Sequence, residues 1–269
     1  ALNSRNLELL KEGNIVAMTG SVEAAFIEGI AANDYSNEIT ATGRMLSSGI
    51  ARRGIKTVVV FKEGTYEEAM RQLVEVAAIT SEDPLPNLQL AEAQGLGDTV
   101  TFQVSYKDCY TYLTKLSRCS NLGFRIRPDF KNKIYYFEVY KGKDRTKNQS
   151  QNKRATFSEV YRNLNKVTYT SNSQNYKTHA VVFGEGEGTA RTTMTATVDP
   201  TAAGWQRREV MVDARDISSD GLTAAQYQQA LIQRGNEKLA EFGIVECLEA
   251  ATLPFVNFAY KTDYDLGDI

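Results

Sequence analysis

Three groups of residues have types and spacings that could perform chemistry: a glycine-glutamate run, a single histidine and two clusters of aspartates. The run is Gly184–Gly188, Gly-Glu-Gly-Glu-Gly. A phosphate-binding loop needs a strand, a glycine turn and then a helix whose N-terminus faces the anion. Here the next segment, Arg191–Val198, has the pattern of a strand, and two glutamates would repel phosphate. The run therefore predicts a hairpin turn.

His179 is the only histidine, and its neighbours have the pattern of an ordinary strand. A Ser-His-Asp or Cys-His arrangement would have to be assembled wholly by the fold, because no GxSxG turn is present. The sequence also singles out no pair of carboxylates for glycosidic chemistry. We therefore predict a strand histidine without a catalytic role.

The aspartates fall into one group before Gly221 and one near the last residue: Asp213, Asp216 and Asp220, then Asp263, Asp265 and Asp268. A helix-loop-helix calcium site needs oxygen ligands at alternate positions and a glutamate at the twelfth. Neither group has that spacing. The first group predicts a turn before a helix, and the second a strand that runs into a turn, with an adventitious cation as the alternative.

The three cysteines, Cys109, Cys119 and Cys247, have no CxxC spacing. An odd number of widely spaced cysteines indicates free thiols in a reducing cytoplasm, not a zinc site or a disulfide framework. No residue of the chain is thus predicted to be catalytic, cofactor-binding or metal-ligating, and no cofactor is expected.

The composition is that of a folded protein: 269 residues, 42% hydrophobic and 24% charged, with a net charge of −2. It excludes a wholly disordered chain and a disulfide-rich miniprotein. The near-neutral charge gives no global attraction to nucleic acid or an anionic membrane. No apolar run reaches the roughly 20 residues of a membrane span, and Ala1–Leu10 has no signal-peptide pattern.

One segment, Lys141–Arg154, has six basic residues, one acid and no aliphatic or aromatic side chain. Such a segment cannot bury enough apolar surface to offset its ordering entropy, so it predicts a mobile polar loop. Its basic residues could contact phosphates while Tyr135, Tyr136 and Tyr140 stack on bases. A solvated loop is favoured over nucleic-acid binding, and a contact with acidic subunit surfaces in an assembly is also compatible.

Periodicity indicates many short strands and three helices. Thr65 with Glu68 and Thr223 with Gln226 form capping boxes, and Ser105–Asp108 is predicted to open the remaining helix. Gly243 is expected as a left-handed C-cap. Ile55–Phe61 is a continuous β-branched run that predicts a strand buried on both faces. The other predicted strands are Ile15–Met18, Ala25–Ile30, Glu38–Thr42, Thr99–Val104, Phe124–Arg127, Lys133–Tyr140, Val167–Thr170, Thr178–Phe183, Arg191–Val198, Arg208–Val212, Ile244–Ala250 and Phe255–Lys261.

These elements predict an α+β protein, mostly antiparallel β, with two barrel-like β domains and an α/β unit between them. The strand-helix-strand-strand-helix-strand order after Ile55 supports the central unit. We place a β-rich barrel-like part at 1–62 and the α/β unit at 63–140. The mobile polar loop then covers 141–155, and a second β-rich barrel-like part with one long helix covers 156–269.

The order of several segments resembles one protein family, the Gp37-like proteins of siphophages. An N-terminal segment, Gly43–Ile55, ends near the double arginine Arg52-Arg53. The remaining motifs are Asp144-Arg145-Thr146, Thr156–Glu159, Asn163-Leu164, His179–Gly188 with Arg191, Arg207-Arg208-Glu209, Asp213–Asp216 and the closing Leu266–Ile269. Each motif alone is weak, and the resemblance depends on their order. It implies that further strands of the family precede Ala1.

The resemblance implies a non-enzymatic structural role in a phage or prophage tail, at the tail-tip or baseplate hub. The hub would link the tail tube to the host-adsorption parts. The implied partners are other copies of the chain in a trimeric ring, the distal tail protein, the tape-measure protein and receptor-binding or fibre proteins. The implied location is the virion tail, assembled in the bacterial host cytoplasm. Two other classes of function remain open: a tail-associated cell-wall hydrolase, and a carbohydrate-binding adsorption module that uses Trp205 or the pair Tyr135 and Tyr136.

Overall fold

A computed structural model describes residues 8–33, 35, 38–253 and 258–269. Its helices are α1 (Tyr66–Val74), α2 (Cys109–Ser120) and α3 (Ala224–Glu241). A 3₁₀ helix covers Leu46–Arg52, and a π-helical turn, Glu75–Ile79, directly extends α1. The strands are β1 (Ile15–Ala17), β2 (Ala24–Phe26), β3 (Gly29–Asn33), β4 (Glu38–Thr42), β5 (Gly54–Phe61), β6 (Leu88–Leu90), β7 (Phe102–Asp108), β8 (Gly123–Asp129), β9 (Ile134–Tyr140), β10 (Leu164–Asn172), β11 (His179–Phe183), β12 (Thr193–Thr197), β13 (Glu209–Asp213) and β14 (Val245–Thr252).

The described strands form small separate sheets. Four are two-stranded and antiparallel: β1-β2, β3-β4, β5-β7 and β10-β14. Two are three-stranded and mixed, β6-β9-β8 and β12-β11-β13. The predicted α+β class is confirmed, but none of these sheets closes into a barrel. Closure requires every strand to be paired along both edges, whereas most strands here have only one neighbour.

The first core lies between α1, α2 and the sheets β5-β7 and β6-β9-β8. Leu73 of α1, Leu113 and Leu116 of α2, and Phe102 and Phe137 of the sheets are fully buried there. Each helix presents apolar residues at helical spacing, as the sequence predicts. In the capping box before α1, Glu68 N donates to Thr65 Oγ1 and Thr65 N donates to the Glu68 carboxylate.

The second core lies between α3 and the sheet β12-β11-β13. Ala180, Val182 and Ala196 of the sheet pack against Leu231 of α3, and all four are buried. The helix lies close to the sheet at Gly235, where an added Cβ would be 2.6 Å from Ala196 Cβ. The capping box of Thr223 and Gln226 begins this helix as predicted.

Several local predictions are wrong. The strand expected to be buried on both faces, β5, exposes Lys56, Thr57 and Val58, because its two-stranded sheet covers the core on one side only. The helix expected to open at Ser105 begins at Cys109, since β7 continues to Asp108, which caps the helix. Gly243 is not a left-handed cap: α3 ends at Glu241, its C-cap residue Phe242 has φ −112°, and Gly243 does not have a positive φ.

Two further findings concern predicted spans. The strand expected at Phe255–Lys261 lies partly outside the described residues, and its described part forms only a single bridge between Tyr260 and Tyr264. Within the described ranges, no helix has the length and apolar character needed to cross a bilayer.

Candidate functional site

Two of the three aspartates in the predicted first group, Asp213 and Asp216, are bound by arginines. Arg191 and Arg215 both donate to the Asp213 carboxylate, at 2.7 and 2.6 Å. Hydrogen bonds from Arg215 and then Arg191 hold the pKa of Asp213 well below its usual range. Arg234 of α3 binds Asp216 at 2.9 Å. Within the described residues, no three histidine, cysteine, aspartate or glutamate side chains form a potential metal site.

His179 lies in β11, a strand of the second core, and the glycine run directly follows that strand. The His179 ring is buried in β11, with Nδ1 2.9 Å from Thr178 Oγ1 and Nε2 3.4 Å from Thr197 Oγ1. The predicted position of His179 within a strand is confirmed. Gly184–Gly188 lies within the connection between the antiparallel strands β11 and β12, as predicted. The Glu185 carboxylate within it accepts hydrogen bonds from Ser219 N and Oγ, at 3.0 and 2.7 Å.

A buried polar seam joins the two cores. The seam consists of Tyr66, Tyr112, Gln233, Arg234 and Glu237. Tyr66 OH donates to Gln233 Oε1 at 3.0 Å, and Tyr112 OH donates to Glu237 Oε1 at 2.8 Å. Glu237 Oε2 lies 3.6 Å from Arg234 Nε. Gln233 and Glu237 are one helical turn apart on α3, on the side that faces α1 and α2, so one helix contributes to both cores.

Burial governs the ionisation of the seam. Desolvation raises the pKa of Glu237 above its ordinary value, although Arg234 and the Tyr112 hydroxyl lower it in part. Desolvation likewise raises the pKa of Tyr66 to about 12 and that of Tyr112 well above its usual value. Cys119, close to the seam, has a pKa raised to about 12 by burial and then by Glu237. A raised pKa favours the neutral thiol, which is a weaker nucleophile than the thiolate.

The C-terminal residues 258–269 form a clasp with residues 141–145. Arg145 N donates to Ile269 O at 2.7 Å, and Ile269 N donates to Lys143 O at 3.0 Å. The backbones of Gly142 and Gly267 lie so close that an added Cβ on Gly142 would be 1.6 Å from Gly267 O. The Arg145 guanidinium binds the Asp268 carboxylate, and both side chains are largely buried. The basic segment is thus held to the last residues of the chain, and its predicted mobility stays a prediction.

Lys261 connects the clasp to the first core. It contacts Glu23, beside β2, and lies 2.8 Å from Asp265. Partial burial lowers the pKa of Lys261, but hydrogen bonds to Asp265 and Glu23 raise it overall. Glu23 also lies 3.7 Å from Arg125 of β8, which binds Glu138 of β9. The second aspartate group is therefore occupied by lysine and arginine, including Lys153 on Asp263.

The two-stranded sheet β10-β14, called the ribbon below, is exposed along nearly all of its length. Every residue of β10 after Leu164 is exposed, as are the β14 residues from Val245 to Ala251. Tyr169 and Leu248 are directly opposite in the register and are 63% and 62% exposed. The ribbon connects the second core to the clasp. It is the longest pair of strands that neither core covers.

The seam, the clasp and the ribbon were not predicted as functional features. In the sequence, the seam shows only as polar residues spaced four apart, Gln229, Gln233 and Glu237. The same spacing is typical of a helix face that is exposed to water. Only the packing of α2 against α3 makes that face a buried one. The ribbon strands were predicted, but not their exposure.

One protein family matches the chain over its full length. The family described as "Siphovirus ReqiPepy6 Gp37-like protein" matches residues 1–269. The chain belongs to this family. The resemblance inferred from the ordered motifs is thereby confirmed. No curated protein matches the chain.

Three solved structures that match part of this chain are tail proteins. The prophage tail protein gp18 from Listeria monocytogenes EGD-e is 14% identical with a TM-score of 0.42, over 76% of this chain and 58% of that one. The tail protein from Neisseria meningitidis MC58 is 16% identical with a TM-score of 0.41, over 78% and 58%. The 43 kDa tail protein of prophage MuSo2 from Shewanella oneidensis is 8% identical with a TM-score of 0.42, over 87% and 66%. The chain spans under two thirds of the length of each.

Proposed function

We propose that this protein is a non-enzymatic structural subunit of a phage or prophage tail, located at the tail-tip or baseplate hub. The observation that carries the proposal is membership of the siphovirus Gp37-like family over residues 1–269. The hub subunit links the tail tube to the host-adsorption parts. Its partners are other copies in a trimeric ring, the distal tail protein, the tape-measure protein and receptor-binding or fibre proteins.

The side-chain chemistry supports a scaffold. Three of the ionisable clusters are paired: Asp213 with two arginines, Asp268 with Arg145, and Lys261 with Glu23 and Asp265. These pairs fix loops and termini in place. A subunit that works by fitting against neighbours needs rigid, preformed surfaces of this kind.

Electron microscopy of virions labelled with an antibody against this chain tests the proposal. We expect label at the tail end distal to the capsid, and mass spectrometry of purified virions detects the protein. Deletion of the gene gives particles without adsorbing tails, and expression in trans restores them. A protein that is absent from purified virions, while the virions remain infectious, contradicts the proposal.

A carbohydrate-binding adsorption function is the second candidate, because Trp205 is fully exposed on a surface turn. An exposed indole offers a face on which a sugar ring stacks. Tyr135 and Tyr136 do not form one surface. Tyr135 lines an apolar groove of about 360 Å³, and Arg127 covers the ring of Tyr136 at 4.9 Å.

Glycan-array binding by the wild-type chain, Trp205→Ala and Tyr106→Ala separates this candidate from a scaffold. Tyr106 is the control, an aromatic side chain 74% exposed on β7. Binding that is lost only in Trp205→Ala supports the adsorption module.

A zymogram on host cell walls tests the hydrolase alternative. That alternative requires the wild-type chain to clear the cell walls.

A further inference from the structure

We propose that the ribbon joins copies of this chain, with the free edge of β14 in one copy paired to the free edge of β10 in the next. The proposal rests on the proposed function, because a hub ring contains several copies. It adds the surface through which those copies touch. Three observations carry it: unprotected edges, exposed apolar side chains and opposite charges on the two strands.

Among the described strands, none pairs with the outer edges of the ribbon. Within the described residues, β10 has only β14 as a neighbouring strand, and β14 has only β10. Natural proteins protect such edges with bulges, prolines or lysines, because exposed strands pair with other chains. The one irregularity of this ladder lies between Asn165 and Thr168. From Thr168 to Asn172, opposite Val245–Glu249, the ladder is regular and has no proline or lysine.

The exposed apolar side chains give this surface the character of an interface. A two-stranded ribbon is at best marginally stable by itself in water. Tyr169 and Leu248 share one face and Val245 lies on the other, each more than half exposed. The strands contribute nine and eight residues, and Val160 and Tyr161 just before β10 are also exposed.

The charges select the pairing between copies. Arg162 lies just before β10 and Lys166 lies near its start, whereas Glu246 and Glu249 lie on β14, and all four residues are exposed. Pairing β10 with β10, or β14 with β14, would bring like charges together. Pairing β14 with the next copy's β10 joins opposite charges, and repeating the ribbon's own register sets Lys166 near the level of Glu249. Such a head-to-tail contact generates a ring when its rotation closes.

Charge reversal in the 269-residue chain tests this pairing. The first variant carries Glu246→Lys and Glu249→Lys, the second Arg162→Glu and Lys166→Glu, and the third all four changes. Sedimentation velocity across a concentration series measures association. We expect the wild-type chain to self-associate, more weakly at high salt, and the first two variants to associate at least about tenfold more weakly. The third variant recovers association, because the two edges again have opposite charge.

The control variant carries Glu12→Lys and Glu187→Lys, which reverse two exposed acids outside the ribbon. We expect this variant to associate like the wild-type chain, because the proposed contact depends on charges in the ribbon and not on net charge. Glu246 accepts a long 3.4 Å hydrogen bond from Tyr169 OH, so circular dichroism and thermal unfolding verify that each variant is folded.

A wild-type chain that stays monomeric throughout the series overturns the proposal, as does a four-site variant that fails to recover. A ribbon occupied in the virion by a different protein, shown by cross-linking, also overturns it. These outcomes are separate from the proposed function. Antibody label at the tail end together with unchanged association of the ribbon variants would leave the tail role standing and remove the ribbon contact.

Discussion

Two glutamates are almost fully buried, and the protein accommodates them in different ways. Glu67 accepts hydrogen bonds from the backbone amides of Gln94 and Leu96, at 2.8 to 3.0 Å, and so fixes a loop. Glu237 instead accepts from Tyr112 OH, with Arg234 at 3.6 Å. A buried carboxylate is costly unless its oxygens are paired, so the seam residues depend on one another.

At the residue scale, Glu237→Gln is expected to change how stability depends on pH. The folded-state pKa of Glu237 is raised, so the wild-type carboxyl group adds its full stability below about pH 4.5, its ordinary value. That contribution is lost as pH rises through the folded-state pKa. The glutamine keeps the hydrogen bond from Tyr112 and does not ionise. Urea unfolding at several pH values should show the variant gaining stability relative to the wild type as pH rises.

The matched control for this experiment is Glu187→Gln, at an exposed acid in the β11–β12 connection. This variant measures the effect of the same substitution where the side chain is exposed. A Glu237→Gln stability difference that changes with pH no more than the Glu187→Gln difference would contradict the prediction.

At the element scale, the long helix α3 has two packed sides. Leu231 and Gly235 face the sheet, whereas Gln233 and Glu237 face the first core. An isolated helix is marginally stable in water, and a helix within a protein gains most of its stability from packing against other elements. A glycine in the middle of α3 illustrates this, because it costs helix propensity but allows the helix to approach the sheet.

Gly235→Ala is expected to destabilise the protein although alanine is the better helix former. Alanine gains about 1 kcal/mol of helix propensity. The added Cβ would lie 2.6 Å from Ala196 Cβ and 3.0 Å from Val182 Cγ2, and overpacking costs about 1–3 kcal/mol. The expected net loss is up to about 2 kcal/mol in urea unfolding. Gly243→Ala is the control, since its Cβ would meet no atom within 4 Å and we expect a gain of about 0.4–1 kcal/mol.

Sequence reasoning located the parts of the fold that depend on local chemistry. Both capping boxes begin their helices as predicted, because the cap and its partner are three residues apart in the chain. Strand exposure was less predictable. Ile55–Phe61 resembled a doubly buried strand, yet Val58 is 49% exposed, since burial depends on which elements cover a sheet. The seam could not be predicted, because a polar helix face has the same pattern whether water or another core covers it.

At the scale of the whole molecule, the contacts form a closed circuit. The seam joins the first core to the second, the ribbon joins the second core to the clasp, and Lys261 joins the clasp to Glu23 beside the first core. The polar segment Lys141–Arg154 is part of this circuit through Arg145. Stability is therefore shared by joints that are far apart in the chain.

The Arg145–Asp268 pair is expected to contribute measurably to this circuit. The side chains are 12% and 9% exposed, so removing one partner leaves a poorly solvated charge. We expect Arg145→Ala and Asp268→Ala each to cost about 1–3 kcal/mol. The double variant should cost less than the sum, because the two changes remove one shared interaction.

The control pair is Arg207 and Glu209, which are 40% and 37% exposed. An exposed ion pair contributes about 0–1 kcal/mol, so its double-mutant cycle should give a small coupling energy. Equal coupling energies for the two pairs would show that the clasp is no stronger than an ordinary surface contact.

The closed circuit has a consequence for a protein whose backbone has been cut. Cleavage between Asn148 and Asn152 produces two fragments, one holding the first core and the other holding the second core and the C-terminus. The fragments still share the contacts of Tyr66 with Gln233, Tyr112 with Glu237 and Glu23 with Lys261. We therefore expect a nicked subunit to stay together without denaturant, and both fragments to elute as one species in size-exclusion chromatography.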